Sequence, residues 1–139
     1  MKTLNILRRP IDIMLNPGLR LVYFHMCSTY LYRRVSTRWL GLLVWNFEVF
    51  IHGCHISVKC NIPKSTVLPH PIGIVVGDGV IVEEGVTIYQ NVTIGVRNLK
   101  SNQYPYVGEG SVIYSGAVIA GEVVLRPKAV IPANSFIKG

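Results

Sequence analysis

The chain has 139 residues, half of them hydrophobic and 15% charged, which excludes a disordered chain and leaves room for one domain with a short appendage. The net charge is +7, with seven Lys/Arg against two acids in residues 1–53 and seven against five in 54–139. The excess therefore sits in the N-terminal third, where it serves solubility or an anionic surface such as membrane headgroups or another polyanion.

Residues 1–15 read as a short helix or an arm. Asn16-Pro17 then opens a helix, with proline at its first position. Leu19, Val22, Tyr23, Met26, Tyr30 and Leu31 come next at helical steps and predict its buried face. Ser36 or Thr37 caps a second helix running to about Ile51, and Gly53 stops it. Its apolar run, residues 39–51, contains Glu48 and is well short of the roughly 20 residues that span a bilayer. This helical arm, residues 1–53, is expected to pack on the end of the C-terminal region, on a second subunit, or on a membrane face.

Cys27, Cys54 and Cys60 form no disulfide-scaffold pattern, and the first ten residues lack a secretory core. A reducing, cytoplasmic setting is expected, with peripheral contact at the inner membrane face through the basic arm. The run HGCHISVKC at 52–60 holds possible zinc donors, but its spacing matches no zinc module, and no metal is expected. No nucleic-acid partner is expected either.

From residue 54 the period becomes six. An aliphatic residue leads each unit at Val76, Val82, Ile88, Ile94, Val107, Ile113, Ile119, Leu125 and Ile131. Small or branched residues hold the fifth place, from Val80 to Ser135. Such a short fixed repeat predicts a stacked solenoid in which three flat units close a triangular coil, with leading and fifth residues pointing inward. Extended backward, the register puts Val58, Lys64 and His70 at leading places and Ile62, Leu68 and Ile74 at fifth places. From Ile94 to Val107 is thirteen residues, so about seven are extra, and the polar insert at about 96–106 should protrude as a loop.

LPHPIGIVVGDGVIVEEGVTIYQNVTIG, together with the later YPYVGEGSVIYSGAVIAG, resembles the hexapeptide-repeat acyltransferases. Within them the stretch is similar to the serine acetyltransferase signature around its catalytic histidine, and the short chain with its helical arm looks most like the O-acetyltransferases of capsule and exopolysaccharide clusters. The resemblance covers residues 54–139 and implies a mainly β fold, a left-handed parallel β-helix, with the helical arm in front. It implies acetyl-coenzyme A as acyl donor, a homotrimer with active sites between neighbouring coils, and His70 as general base. Imidazole suits that task near neutral pH, and Pro69 and Pro71 restrict the backbone on both sides of it.

The departures bear on the acceptor. Where the serine enzymes keep an aspartate fifteen residues before the base, this chain has His55. Where they keep an acid directly before it, this chain has Pro69. Where their loop reads Arg-His-Pro, this chain reads Gln103-Tyr104-Pro105. A sugar or glycan hydroxyl is therefore the expected acceptor, held by Gln103, Tyr104 and Tyr106, as in the O-acetyltransferases of capsule and exopolysaccharide clusters. Serine acetylation is the alternative, and a non-catalytic scaffold is the alternative of another class. His55 is the expected second catalytic residue, with His52, Asp78 and Glu83 as other candidates to orient His70. The cofactor groove is expected along Gly95, Gly116, Ala117, Ala120 and Gly121, with Arg126, Lys128 and Lys138 towards the nucleotide phosphates. Similar proteins continue into a small C-terminal segment, and this chain ends within a hexad at Gly139.

Overall fold

The computed structural model describes residues 10–98, 100 and 102–139. Three helices come first: α1 (Pro10–Leu15), α2 (Pro17–Arg33) and α3 (Arg38–His52), with one turn of 3-10 helix (Val35–Thr37) between the last two. Asn16 caps α2, its side-chain oxygen accepting from the Leu19 N–H. Gly53 ends α3 with a left-handed backbone at φ 60°, where a side chain would be strained.

The remainder is a parallel β-helix of eleven short strands. β1 (His55–Ile56), β2 (Val75–Val76), β5 (Thr93–Gly95), β8 (Val118–Ala120) and β11 (Phe136–Lys138) form face A. β3 (Ile81–Val82), β6 (Tyr106–Val107) and β9 (Val124–Leu125) form face B; β4 (Thr87–Ile88), β7 (Val112–Ile113) and β10 (Val130–Ile131) form face C. Every pairing is parallel, as a coil that always turns the same way requires. All nine leading residues from Val76 to Ile131 are buried. Their stacked side chains are the core, and the hexad pattern exists because each inward residue must sit on its equivalent one coil below.

The backward register needs correction. Upper coils repeat at 18 residues, as in Val75↔Thr93, but the first pairs with the second at 20: His55↔Val75, Asn61↔Ile81 and Val67↔Thr87. Ile56, Ile62 and Leu68 are therefore the inward stack, and Lys64 and His70 face solvent. The two extra residues fall between Val67 and Val75, since the equivalent step above, Thr87 to Thr93, is six residues. The later excess lies where the repeat places it: Ile81 pairs with Tyr106 at 25 residues, seven more than one coil.

The helix α2 lies across the open end of the coil. Leu21 and Val22 join the core with Cys54, Ile56, Cys60, Ile62 and Leu68. Its buried face is Gly18, Leu21, Val22, His25, Ser28 and Thr29, not the stripe through Met26 and Tyr30, which is exposed. The reason is close approach to backbone: Gly18 sits against the Leu68 carbonyl, and Gly41 of α3 sits against the Ser28 carbonyl. Small and polar residues fit those contacts where large apolar ones do not. Large side chains of α3, including Trp39, Leu43, Phe47 and Phe50, are left exposed. No described helix is long and apolar enough to cross a membrane.

Candidate active site

The two-residue expansion of the first coil creates the site. Between inward Leu68 and inward Ile74 the chain must absorb its surplus, and it throws Pro69 and His70 outward while burying Pro71. The Ile72 N–H closes a tight turn over Pro71 onto the His70 carbonyl at 2.8 Å. Gly73 comes next at φ 66°, held between coils by its N–H to Gly53 O at 3.0 Å. Its position has no room for a Cβ, because the Asn91 side chain fills that space.

On one side, the His70 ring stands 6.4 Å from that of Tyr89. Tyr89 in turn stacks on Tyr114 at 5.2 Å. These three rings climb the corner between faces C and A, one per coil. On the other side is an open cleft of about 280 Å³, lined by His70, Pro69, Pro71 and Ile72 of the coil and Pro17, Arg20, Ile51 and His52 of the helices. Arg20 Nε donates to His52 Nε2 at 3.2 Å, and Nη1 donates to the Met14 carbonyl at 2.8 Å. His52 must then carry its proton on Nδ1, which faces the Glu48 carbonyl at 3.2 Å. Burial, with Arg20 adding to it, holds His52 below the usual imidazole range.

The other expected residues are dispersed. His55 lies on β1, edge-on to Trp45 at 5.1 Å, and is not among the residues lining the His70 cleft. Tyr104 is half-buried over Gly77 and Gly79 at the corner between faces A and B. The loop thus folds back at this end instead of only protruding. Gln103 Nε2 donates to Glu122 Oε2 at 2.9 Å, and Tyr106 stands on face B, half-exposed beside Glu83. None of the three lines the His70 cleft.

Gly95 and Ala120 are paired in register, and Gly121 N–H donates to Gly95 O at 3.0 Å. Nothing lies within 4 Å of a Cβ built on Gly95. Gly95 and Ala120 make a strip of small residues on the A/B corner, with Lys138 one coil above Ala120, while Gly121 is buried against the Gly139 carbonyl. Gly116 belongs to the C/A corner, its N–H on Gln90 O at 3.0 Å. Ala117 is fully buried and lines no groove, because the fifth hexad position points inward. Arg126 and Lys128 are exposed on the third corner, between faces B and C.

Asp78 is tied to Lys59 at 2.7 Å and to Ser57 at 2.6 Å, which holds its carboxyl below the usual range; it is engaged there, not with His70. Cys54 and Cys60 are buried, and the Cys60 thiol donates to Val80 O at 3.2 Å. Among the described residues no group of three metal-ligating side chains converges.

His52, a candidate to orient His70, lies 18 residues before it in sequence, one coil of the regular repeat, yet it does not stack beneath His70, because the coil there repeats at 20. His52 arrives instead from the end of α3. Arg20 was missed: no pattern links a helical arginine to a loop fifty residues later.

No family model matches the chain. A serine acetyltransferase of Staphylococcus epidermidis is 31% identical over 124 residues, 86% of this chain and 56% of the relative. A solved serine acetyltransferase in complex with CoA superposes with a TM-score of 0.78 at 29% identity, covering 86% of this chain and 49% of the other. One in complex with cysteine gives 0.79 at 30%, covering 86% and 47%. The Neisseria gonorrhoeae enzyme, at 22% identity, shares the fold with a TM-score of 0.83 over 94% of this chain and 54% of its own. The chain spans little more than half the length of the curated relatives it matches. These likenesses support the hexapeptide-repeat acyltransferase family and its left-handed β-helix, and they do not reach to the capsule enzymes.

Proposed function

We propose that this chain, as a hexapeptide-repeat acyltransferase, moves the acetyl group of acetyl-coenzyme A to an acceptor hydroxyl, with His70 as general base. The observation that carries the reading is an exposed imidazole at an expanded corner, framed by two prolines and facing an open cleft. In the reaction, imidazole nitrogen takes the hydroxyl proton as the oxygen attacks the thioester carbonyl. The tetrahedral intermediate expels the coenzyme A thiolate, which recovers the proton from imidazolium. An O-acetyl ester and free thiol result.

L-Serine is the acceptor that the relatives favour, and the sugar acceptor expected from sequence finds no support among them. A sugar stays as the second reading on one observation, the stack of half-buried Tyr89 and exposed Tyr114 beside His70, since aromatic faces pack on apolar ring faces of sugars. Thiol release from acetyl-coenzyme A, with L-serine or a sugar panel as acceptor, separates the two. His70→Ala should lower turnover by about 10²- to 10⁴-fold, the usual contribution of a general base, with an unchanged circular dichroism spectrum. Undiminished turnover would remove His70 from the mechanism.

A homotrimer fits the separation of parts. His70 and the Gly95–Ala120 strip flank opposite edges of face A, and the four residue steps from Gly73 to Gly77 alone span about 13 Å of extended chain. A second copy whose A/B corner meets the His70 corner of the first would bring base, Tyr104 and small-residue strip together. Analytical ultracentrifugation should give three times the chain mass. The exposed Trp39, Phe47 and Phe50 of α3, with Arg33, Arg34 and Arg38 close in sequence, support a place at an anionic membrane face. Salt-sensitive cosedimentation with phosphatidylserine vesicles, lost in Phe50→Ser, tests this.

A further inference from the structure

Of the residues lining the His70 cleft, Arg20 alone is permanently charged. It is held at two points, by the Met14 carbonyl and by His52 Nε2. His52 is locked as the acceptor because its other nitrogen is committed to the Glu48 carbonyl. The guanidinium is therefore oriented before any ligand arrives. Among the described residues it makes no ion pair, and two of its five N–H groups are spent on the bonds above. The rest of the cleft wall is largely apolar, from Pro17, Ile51, Pro69, Pro71 and Ile72, and offers no competing charge.

A fixed, half-buried arginine fork without a carboxylate of its own matches a planar oxyanion in shape and charge. We propose that Arg20, positioned by His52, binds the carboxylate of the acceptor, so that the acceptors are hydroxy compounds that carry a carboxylate. This rests on the transferase reading above. A β-hydroxy amino acid and a uronic acid share the required chemistry.

The test uses the full chain, acetyl-coenzyme A and four acceptors: L-serine, L-serinamide, D-glucuronate and D-glucose. Serine or glucuronate should be turned over and its uncharged counterpart poorly; which of the two works identifies the source. Arg20→Gln should raise KM for the carboxylate acceptor by about ten- to a hundredfold, the worth of a charge-assisted hydrogen bond, and leave KM for acetyl-coenzyme A in place. Arg20→Lys should recover part of the loss. His52→Ala should raise the same constant less. Equal losses on L-serine and L-serinamide in Arg20→Gln, or no change in KM, would overturn the proposal. If the unaltered protein acetylates none of the four, the transferase reading fails by itself, and titration calorimetry still decides the site. Binding of L-serine or D-glucuronate, but not of L-serinamide or D-glucose, that vanishes in Arg20→Gln upholds it. Absent or carboxylate-independent binding overturns it.

Discussion

His25 and Glu48 offer a sharp test of what joins the helices to the coil. Both are about 1% exposed. His25 Nε2 donates to the Cys60 carbonyl at 3.0 Å, and its Nδ1 faces Glu48 Oε1 at 3.6 Å. Neither Glu48 oxygen has a hydrogen-bond partner, so the imidazole is the nearest compensation for a buried acid. His25→Leu removes the Nε2–H bond to the Cys60 carbonyl, shared with the Thr29 hydroxyl at 3.4 Å, about 1 kcal/mol, and the partner of a buried acid, about 3–5 kcal/mol. Glu48→Leu added to His25→Leu removes the stranded acid and leaves only the first loss. The double variant should therefore be more stable than His25→Leu by about 3–5 kcal/mol. At about 3 °C per kcal/mol for a chain of this size, that is a recovery of roughly 9–15 °C in Tm. Differential scanning calorimetry at one fixed protein concentration reads it, because oligomerisation makes Tm concentration-dependent. A double variant as unstable as His25→Leu, or less stable, would refute the pairing.

At the A/B corner, a methyl at Gly79 would overlap the Tyr104 ring, so Gly79→Ala should displace the end of the loop. Enhanced proteolysis of the 96–106 segment and a several-fold higher KM for the acceptor are expected, with the coil intact by circular dichroism. The thiols should differ in reactivity: Cys27 is exposed, Cys54 and Cys60 are buried, and burial pushes Cys60 up to about 12. One thiol per chain should react with Ellman's reagent in the native protein and three after denaturation. The same shift has a pH consequence. Above the ordinary thiol range the unfolded chain releases a proton that the folded chain keeps, so stability should fall as pH rises from about 9 towards 12. Cys60→Ala should flatten that fall in a series of Tm measurements.

The repeat was legible because it is local. Leading residues from Val76 to Ile131 recur with a period that no helix shares, and a side chain that must stack on its equivalent cannot be polar or displaced. The same logic placed the seven-residue insert, but carried backward it put His70 at an inward place, which the 20-residue first coil overturns. The stop at Gly53 and the start at Asn16-Pro17 were readable for the same reason, since caps are bonds between neighbours in sequence.

The features that the chain alone could not reveal lie where distant segments meet. The buried face of α2 is set by its approach to backbone at Leu68 and Cys60, which no helical periodicity encodes. The 20-residue first coil is invisible in the hexads because its surplus sits in a corner of prolines and glycine that obeys no repeat. Residues one letter apart in a motif can also diverge in space: Gly116 lies at a corner while Ala117 points into the core. Arg20 and His52 reach the cleft of His70 only because α2 and α3 fold back over the coil's open end. A linear motif records the order of residues along one strand, and the charge that selects a ligand is set by whatever else the fold brings within a few ångströms.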